Sequence, residues 1–284
     1  MAKNYNLKEH VITSEVRPLE GIKVVEFSHM VLGPSCGLIL ADLGADVVKI
    51  EPAPGGDKTR LLPGSGSGFF GAFNRNKRSV AVNLKTPEGH KFATNLILES
   101  DVLIENFGAG VMDRLGLGYK AIQEINPRLI YCALKGFLSG PYENRAALDE
   151  VVQMMGGLAY MTGPKGRPLR AGASVNDLVG ALFGTVAIQA ALLERQRTGE
   201  GTFVRSGLFE SNMFLVANHM VQYCQTGMPA DPMPEREASW AVYDVFQTAD
   251  DEKVFVGVVS DKQWVEFCEA FNLKDLLEDR ELST

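Results

Sequence analysis

The sequence predicts an α/β protein built on a largely parallel sheet, with a smaller α+β unit opening near residue 227. Three observations carry this. As far as Pro141, short β-branched runs alternate with helical stretches, the rhythm of strand–helix–strand crossovers. Those runs are apolar on both faces rather than on every second residue, so the sheet must be covered on both sides. At Gly227 the composition shifts to the Pro- and Glu-rich "GMPADPMPEREAS", a linker by its breakers and charges.

After a polar lead, "GIKVVEF" reads as a buried strand bounded by glycine and serine. "GPSCGLILADLG" reads as a helix with Pro34 in its first turn and Gly44 at its end. "ADVVKIE" is a second strand, and the Gly-, Pro- and Ser-rich "PAPGGDKTRLLPGSGSGFFGAF" a long exposed loop. "SVAVNL" is a third strand. "TPEGHKFATNLILES" follows as a helix capped by Thr86 and opened by Pro87. "DVLIENF" is a fourth strand, "YKAIQEINP" a short helix stopped by Pro127, and "RLIYCALKG" a fifth strand. Beyond Pro141 come "LDEVVQMMGGLAYM" and the apolar segment after Asp177, both helical. "TGEGTFVRSGLFESNMFLVANHMVQYC" adds a turn, a strand and a helix. "WAVYDVFQTADDEKVFVGVV" reads as a hairpin turning at Asp250-Asp251, and "DKQWVEFCEAFN" as an amphipathic helix.

The bulk numbers exclude several functions. A net charge of −7 argues against a nucleic-acid surface, which needs a basic field. Four widely spaced cysteines and unclustered histidines predict neither zinc site nor disulfide framework, and a reducing cytoplasm. "MAKNYNLKEHVITSEVRPLEG" has no apolar core and is not a secretory signal. The apolar stretch from Leu178 to Leu193 falls short of the roughly 20 residues that span a bilayer, and reads as a buried helix of a soluble protein.

Ligands of open α/β sheets bind outside the carboxyl ends of the strands. That selects the loops Ser28–Leu32, Pro52–Phe70, Asn83–Lys85, Asn106–Gly108 and Lys135–Gly140. "SHMVLGPS" lacks the glycine spacing of a dinucleotide fingerprint, and "GSGSG" lacks the Gly-Lys-Ser/Thr of a phosphate loop. Arg75, Lys77, Arg78 and Lys85 form a basic island suited to a polyphosphate or to a solvated strand flank. "ENF" offers an amide and an aromatic to a heterocycle, although Phe107 also suits a core. His29 has no acidic partner nearby in sequence, which favours a positional role. No nucleophile elbow surrounds the serines, which excludes a serine hydrolase. Asp149 starts a helix or pairs with Arg145. Asp177 stands at the mouth of the apolar segment, as a helix cap or as a nucleophile. The two roles are compatible, because a helix N-terminus lowers a carboxyl pKa and keeps it ionised.

The ordered set "GIKVVEFSHMVLGPSCGLILADLGADVVKIE", "NRNKRSVAVNLKTPEG", "DVLIENFGAGVMDRLGLGY", "INPRLIYCALKGF", "PLRAGASVNDLVGAL" and "ALLERQRTGEGTFV" resembles the class III CoA-transferases, the family of formyl-CoA transferase and carnitine CoA-transferase. The match runs from about Leu19 to Glu210. The resemblance implies a Rossmann-like large domain, a smaller domain and an interlocked dimer. On this chain that gives an N-terminal extension at 1–18, a CoA-binding domain at 19–226 and a partial small domain at 227–284 whose C-terminal part is absent. The family's catalytic aspartate matches Asp177. Its CoA contacts match Val31 and Leu32, the group Asn83, Leu84 and Lys85, the pair Asn106 and Phe107, Arg114, and the turn Ala146, Ala147, Leu148 and Asp149.

There are departures. Pro52 stands where relatives often carry an arginine near the adenine, and the glycine-rich loop of formyl-CoA transferase has no counterpart in "EREASWAVYDVF". The implied reaction moves CoA from an acyl-CoA to a carboxylic acid, a small dicarboxylate being a reasonable first choice, through aspartyl anhydride and aspartyl thioester intermediates. It needs neither metal nor permanently bound cofactor, but a dry pocket with backbone donors, for which Gly156 and Gly157 are candidates. The alternatives are an α-methylacyl-CoA racemase, whose histidine is replaced here by Leu148, and a CoA-binding subunit without activity. A homodimer is expected, with no nucleic acid and no membrane as partner.

Overall fold

The computed structural model describes residues 17–236, 239–240, 242–279 and 282; the expected N-terminal extension lies outside them up to residue 16. The described residues fall into two compact units, divided between Ala230 and Asp231.

In the first unit, six strands pair in parallel: β1 (Lys23–Phe27), β2 (Asp46–Pro52), β3 (Arg78–Val82), β4 (Val102–Glu105), β5 (Ile130–Lys135) and β6 (Phe203–Gly207). Their order is β3-β2-β1-β4-β5-β6, so the chain winds outward from β1 twice, in opposite directions. Ten helices accompany them: α1 (Leu32–Asp42), α2 (Phe69–Phe73), α3 (Pro87–Leu98), α4 (Val111–Arg114), α5 (Tyr119–Ile125), α6 (Asp149–Met155), α7 (Leu158–Thr162), α8 (Val175–Thr198), α9 (Leu208–Leu215) and α10 (Ala217–Thr226).

The double-faced apolar strands are explained by two cores. Val24, Val47, Val102, Ile104, Ile130, Cys132 and Leu134 point to the face packed by α1 and α8. Val25, Phe27, Ile50, Leu103, Tyr131 and Ala133 point to the other, against Ala93, Ile97, Met112 and Ile122. Local signals set the helix ends. The Thr86 hydroxyl accepts the Gly89 N–H at 3.2 Å, with Pro87 as the first helical residue of α3. Gly44, at φ +101°, turns the chain from α1 to β2.

Four expectations need correction. The long loop after β2 contains α2 and two 3-10 turns, Lys58–Leu61 and Gly64–Gly66. The helix expected over "LDEVVQMMGGLAYM" is broken into α6 and α7 by Gly157 at φ +85°. The segment after Asp177 is a 24-residue helix, long and apolar enough by composition to cross a membrane. It is not wholly buried: Ala181, Ile188 and Leu192 face the sheet core while Leu182, Phe183, Val186 and Leu193 are exposed. Gly227–Ala230 belong to the first unit, where the Tyr160 hydroxyl donates to the Ala230 carbonyl at 3.2 Å.

The second unit holds the expected hairpin, β7 (Val242–Gln247) antiparallel to β8 (Lys253–Val258), with Asp251 at φ +70° in its turn. α11 (Asp261–Ala270) and α12 (Lys274–Glu278) follow.

Ile104 is fully buried at the centre of the sheet. Ile104→Ala is expected to cost about 2–5 kcal/mol in urea unfolding, whereas Leu61→Ala, at a side chain 81% exposed, stays within about 0.5 kcal/mol.

Candidate active site

The strand order reverses between β1 and β4. Their following loops diverge and leave a crevice at the carboxyl edge of the sheet. Asn106 latches its two sides: its Oδ1 accepts the His29 N–H at 3.0 Å and its Nδ2 donates to the His29 carbonyl at 2.9 Å. Met30 is held at φ +63°, a strained conformation for a side-chain-bearing residue.

A buried charge network fixes the floor of this loop. Lys49 contacts Glu26 at 3.3 Å and Asp57 at 3.2 Å, and donates to the Ser28 carbonyl at 2.7 Å. Lys77 contacts Glu26 at 2.8 Å and donates to the Pro34 carbonyl at 2.7 Å. Burial in an ionic cluster is tolerable only when each charge is paired, and this pairing joins β1, β2, α1 and the approach to β3.

The crevice opens into a cleft of about 280 Å³ that reaches Asp177. Val31, Leu32, Asn106 and Phe107 form one wall, and Ala146, Ala147, Leu148 and Asp149 another. A second cavity of about 390 Å³ lies on the far side of the same loops, between His29, Ile50, Pro52, Thr59 and Phe107. Lys135 reaches under the β4 loop, at 2.5 Å from Glu105 and 2.7 Å from the Phe107 carbonyl.

Asp177 is the third residue of α8 and half-buried; Ser174 is the N-cap, and its side chain caps nothing. The expected lowering of the Asp177 pKa is overturned. Burial first, then the Asp149 and Glu150 carboxylates, push it up to about 7, with Arg170 opposing. The reason is local. The Asn176 and Asp177 N–H groups, which would favour a charge on Asp177, both point at Asp149 Oδ1, at 2.7 and 3.3 Å. Asp149 starts α6, as one sequence reading had it, but its carboxylate turns to α8, and the Arg145 guanidinium lies over the Tyr142 ring at 4.4 Å.

The cleft thus brings together Asp177 and eight of the expected contact residues. Asn83, Leu84, Lys85 and Arg114 do not line it. The basic island is divided by β3: Arg75 pairs with Asp42 and Arg78 with Asp46, each at 2.5 Å, and Lys77 is buried on Glu26. Lys85 alone stands at the carboxyl end of that strand. Gly156 and Gly157 line a different, apolar cavity with Tyr160, Met161 and His219 and do not line the cleft. Partial loss of hydration lowers the His29 pKa, with Asp57 opposing, and its ring lies 5.9 Å from Phe107.

Sequence reasoning missed Arg170, Gln153 and Asn176 around the carboxylates, because long-range packing alone joins them. Arg170 pairs with Glu150 at the cleft wall. Lys135 opens one of the strand-end loops that the sequence selects, and it lines the cleft.

The sequence profile of CoA-transferase family III matches residues 19–284. The chain belongs to this family. It is 39% identical to an acyl-CoA transferase of Fusarium pseudograminearum over 92% of this chain and 60% of that protein. It is 35% identical to a succinate–glutarate CoA-transferase of Agrobacterium fabrum, over 94% and 70%. A crystal structure of a CAIB/BAIF family protein from Brucella suis superposes with a TM-score of 0.83 at 35% identity, over 95% of this chain and 74% of that one. The chain therefore spans less than two thirds of the Fusarium relative's length.

The raised Asp177 pKa has a sign in stability. Between the ordinary value of 3.8 and about 7 the folded state holds a proton that the unfolded chain sheds, so stability falls as pH rises through that window. Asp177→Asn keeps the shape without the charge. Scanning calorimetry is expected to show it melting above the unsubstituted protein by about 2–4 °C at pH 8.5, with the lead shrinking as pH falls and vanishing only below the ordinary value of 3.8; a difference that does not change with pH would contradict the assignment.

Proposed function

We propose that this chain carries the nucleophile of an acyl-CoA:carboxylate CoA-transferase, and that the nucleophile is Asp177. The observation behind this reading is a half-buried carboxyl group facing a cleft at the strand-order reversal, with a pKa near 7. A carboxyl of that kind is substantially ionised at neutral pH. It is also more basic than a solvated carboxylate, and nucleophilicity rises with basicity.

In the proposed sequence, an ionised Asp177 oxygen attacks the thioester carbonyl of the donor. The C–S bond breaks, giving an acyl-aspartyl anhydride and CoA thiolate. The thiolate attacks the Asp177 carbonyl, and the donor acid leaves as its carboxylate. The acceptor carboxylate attacks the resulting aspartyl thioester, expelling the thiolate and forming a new anhydride. A last thiolate attack, on the acceptor carbonyl, releases the new acyl-CoA and restores Asp177. Charge is conserved at each exchange, so the site needs only to exclude water and hold the partners in line.

The wall Val31–Leu32 and the turn Ala146–Leu148 suit the pantetheine arm. The cavity beside Pro52 and Phe107 suits the base, and Lys85 and Arg114 remain proposals for the phosphates. The name of the Agrobacterium relative supports small dicarboxylates as donor and acceptor. Leu148, exposed in the cleft, brings no proton carrier and weighs against a racemase. The exposed apolar stripe of α8 and Phe214 supports a homodimer, and a cytoplasmic setting fits the free cysteines.

Incubation with succinyl-CoA followed by hydroxylamine is expected to leave a hydroxamate on Asp177, read by peptide mass spectrometry. Asp177→Ala should abolish both label and transfer. Label-free Asp177 with persistent α-proton exchange into deuterated solvent would favour racemisation instead. For transfer itself, kcat/KM should climb about tenfold per pH unit below 7 and level off above it.

A further inference from the structure

The Asp149 carboxylate is among the most deeply placed charges near the cleft, 4% exposed, and nothing in the transfer chemistry uses it. Its Oδ1 accepts the N–H groups of Asn176 at 2.7 Å and Asp177 at 3.3 Å, and its Oδ2 accepts from Gln153 Nε2. Gln153 in turn accepts the Ala171 N–H at 2.7 Å. Asn176 Nδ2 donates to the Asp149 carbonyl at 3.5 Å, and Asn212 Nδ2 to Asn176 Oδ1 at 3.3 Å. Gln153, Asn176 and Asn212 are fully buried. The first N–H groups of a helix have no partner within the helix, and the α8 N-cap side chain supplies none.

We propose that Asp149 is a positioning residue: by capping α8 from α6, it fixes the turn that carries Asp177 toward the cleft and keeps a negative charge beside it. This rests on Asp177 being the nucleophile. Three donors converge on one carboxylate, so the group must be acceptor-only. An amide at 149 would turn its own N–H₂ against one of them, and the Gln153 amide cannot rotate to compensate without abandoning Ala171. Both oxygens are thereby committed to the junction of α6 and α8, a role separate from the contact with CoA that the resemblance implies for Asp149.

The charged groups around Asp177 are Asp149 and Glu150 from α6 and Arg170 from the loop before α8. Those lining the rest of the cleft are His29, Lys135, Glu143 and Arg145. Lys135 is held by Glu105, Glu143 by Arg205 at 3.0 Å, and Arg145 lies over Tyr142. Asp149 is therefore the fixed neighbour, while the Glu150–Arg170 pair is exposed to solvent.

The test uses the pH profile of succinyl-CoA-dependent transfer in Asp149→Asn. A misplaced nucleophile is expected to lose kcat by ten- to about a hundredfold, with KM for succinyl-CoA changed little. The midpoint of the kcat/KM rise should move about one pH unit downward as the neighbouring charge disappears. Glu150→Gln, outside the buried network, should shift the midpoint in the same direction and largely spare kcat. A tenfold higher KM with kcat and midpoint unmoved would overturn the proposal in favour of a CoA contact. Should Asp149→Asn not fold, hydrogen exchange in the unsubstituted protein decides: the Asn176 and Asp177 amides are expected to be protected, and free exchange there would refute the cap. Loss of the hydroxamate from Asp177 would instead refute the underlying reading, while leaving the exchange result standing.

Discussion

A half-buried carboxyl group set beside two further carboxylates is the constraint on which this site depends. Asp177 sits in the first turn of a long helix, where free N–H groups ordinarily favour a negative charge. Those of Asn176 and Asp177 are given to Asp149. One carboxylate thus takes the positive end of the helix, and the other bears the cost of burial next to it. The competition between helix dipole and desolvation is settled by this allocation, and it leaves Asp177 poised between protonated and ionised at neutral pH.

The surrounding architecture makes that arrangement durable. Parallel pairing with a reversed strand order creates the crevice, and cores on both faces of the sheet support its edge. Glu26, Lys49, Lys77 and Asp57 tie the β1 loop down from beneath, while Asn106 clamps it to the β4 loop. Removing one member of such a buried cluster strands the remaining charges. These side chains serve the site by shaping the backbone around it.

Much of the fold was legible because its signals are local. β-branched runs, Thr86 with Pro87, and Gly44 state where strands and helices begin and end. The break at Gly157 was harder, since the helical pattern continues across it and only the backbone angle divides it. The outer stripe of α8 escaped for a related reason: a helix apolar all round reads as buried, and sequence does not say which side has a neighbour. In the site, the family resemblance pointed to Asp177 and to the turn Ala146–Asp149, and both line the cleft. The pKa of Asp177 was misjudged because Asp149, twenty-eight residues earlier, reaches it only through packing of α6 against α8. Three cations of the basic island were hidden from sequence in the same way: Arg75, Lys77 and Arg78 are bound to Asp42, Glu26 and Asp46 from other strands and helices.

The most direct measurement is the titration of Asp177 itself. Carbonyl ¹³C shifts of aspartate-labelled protein, assigned by difference against Asp177→Asn, follow that carboxyl without reference to substrate. A midpoint near 7 is predicted. A midpoint below about 5, the range of a solvated aspartate, would show the helix terminus serving Asp177 after all and would contradict the account.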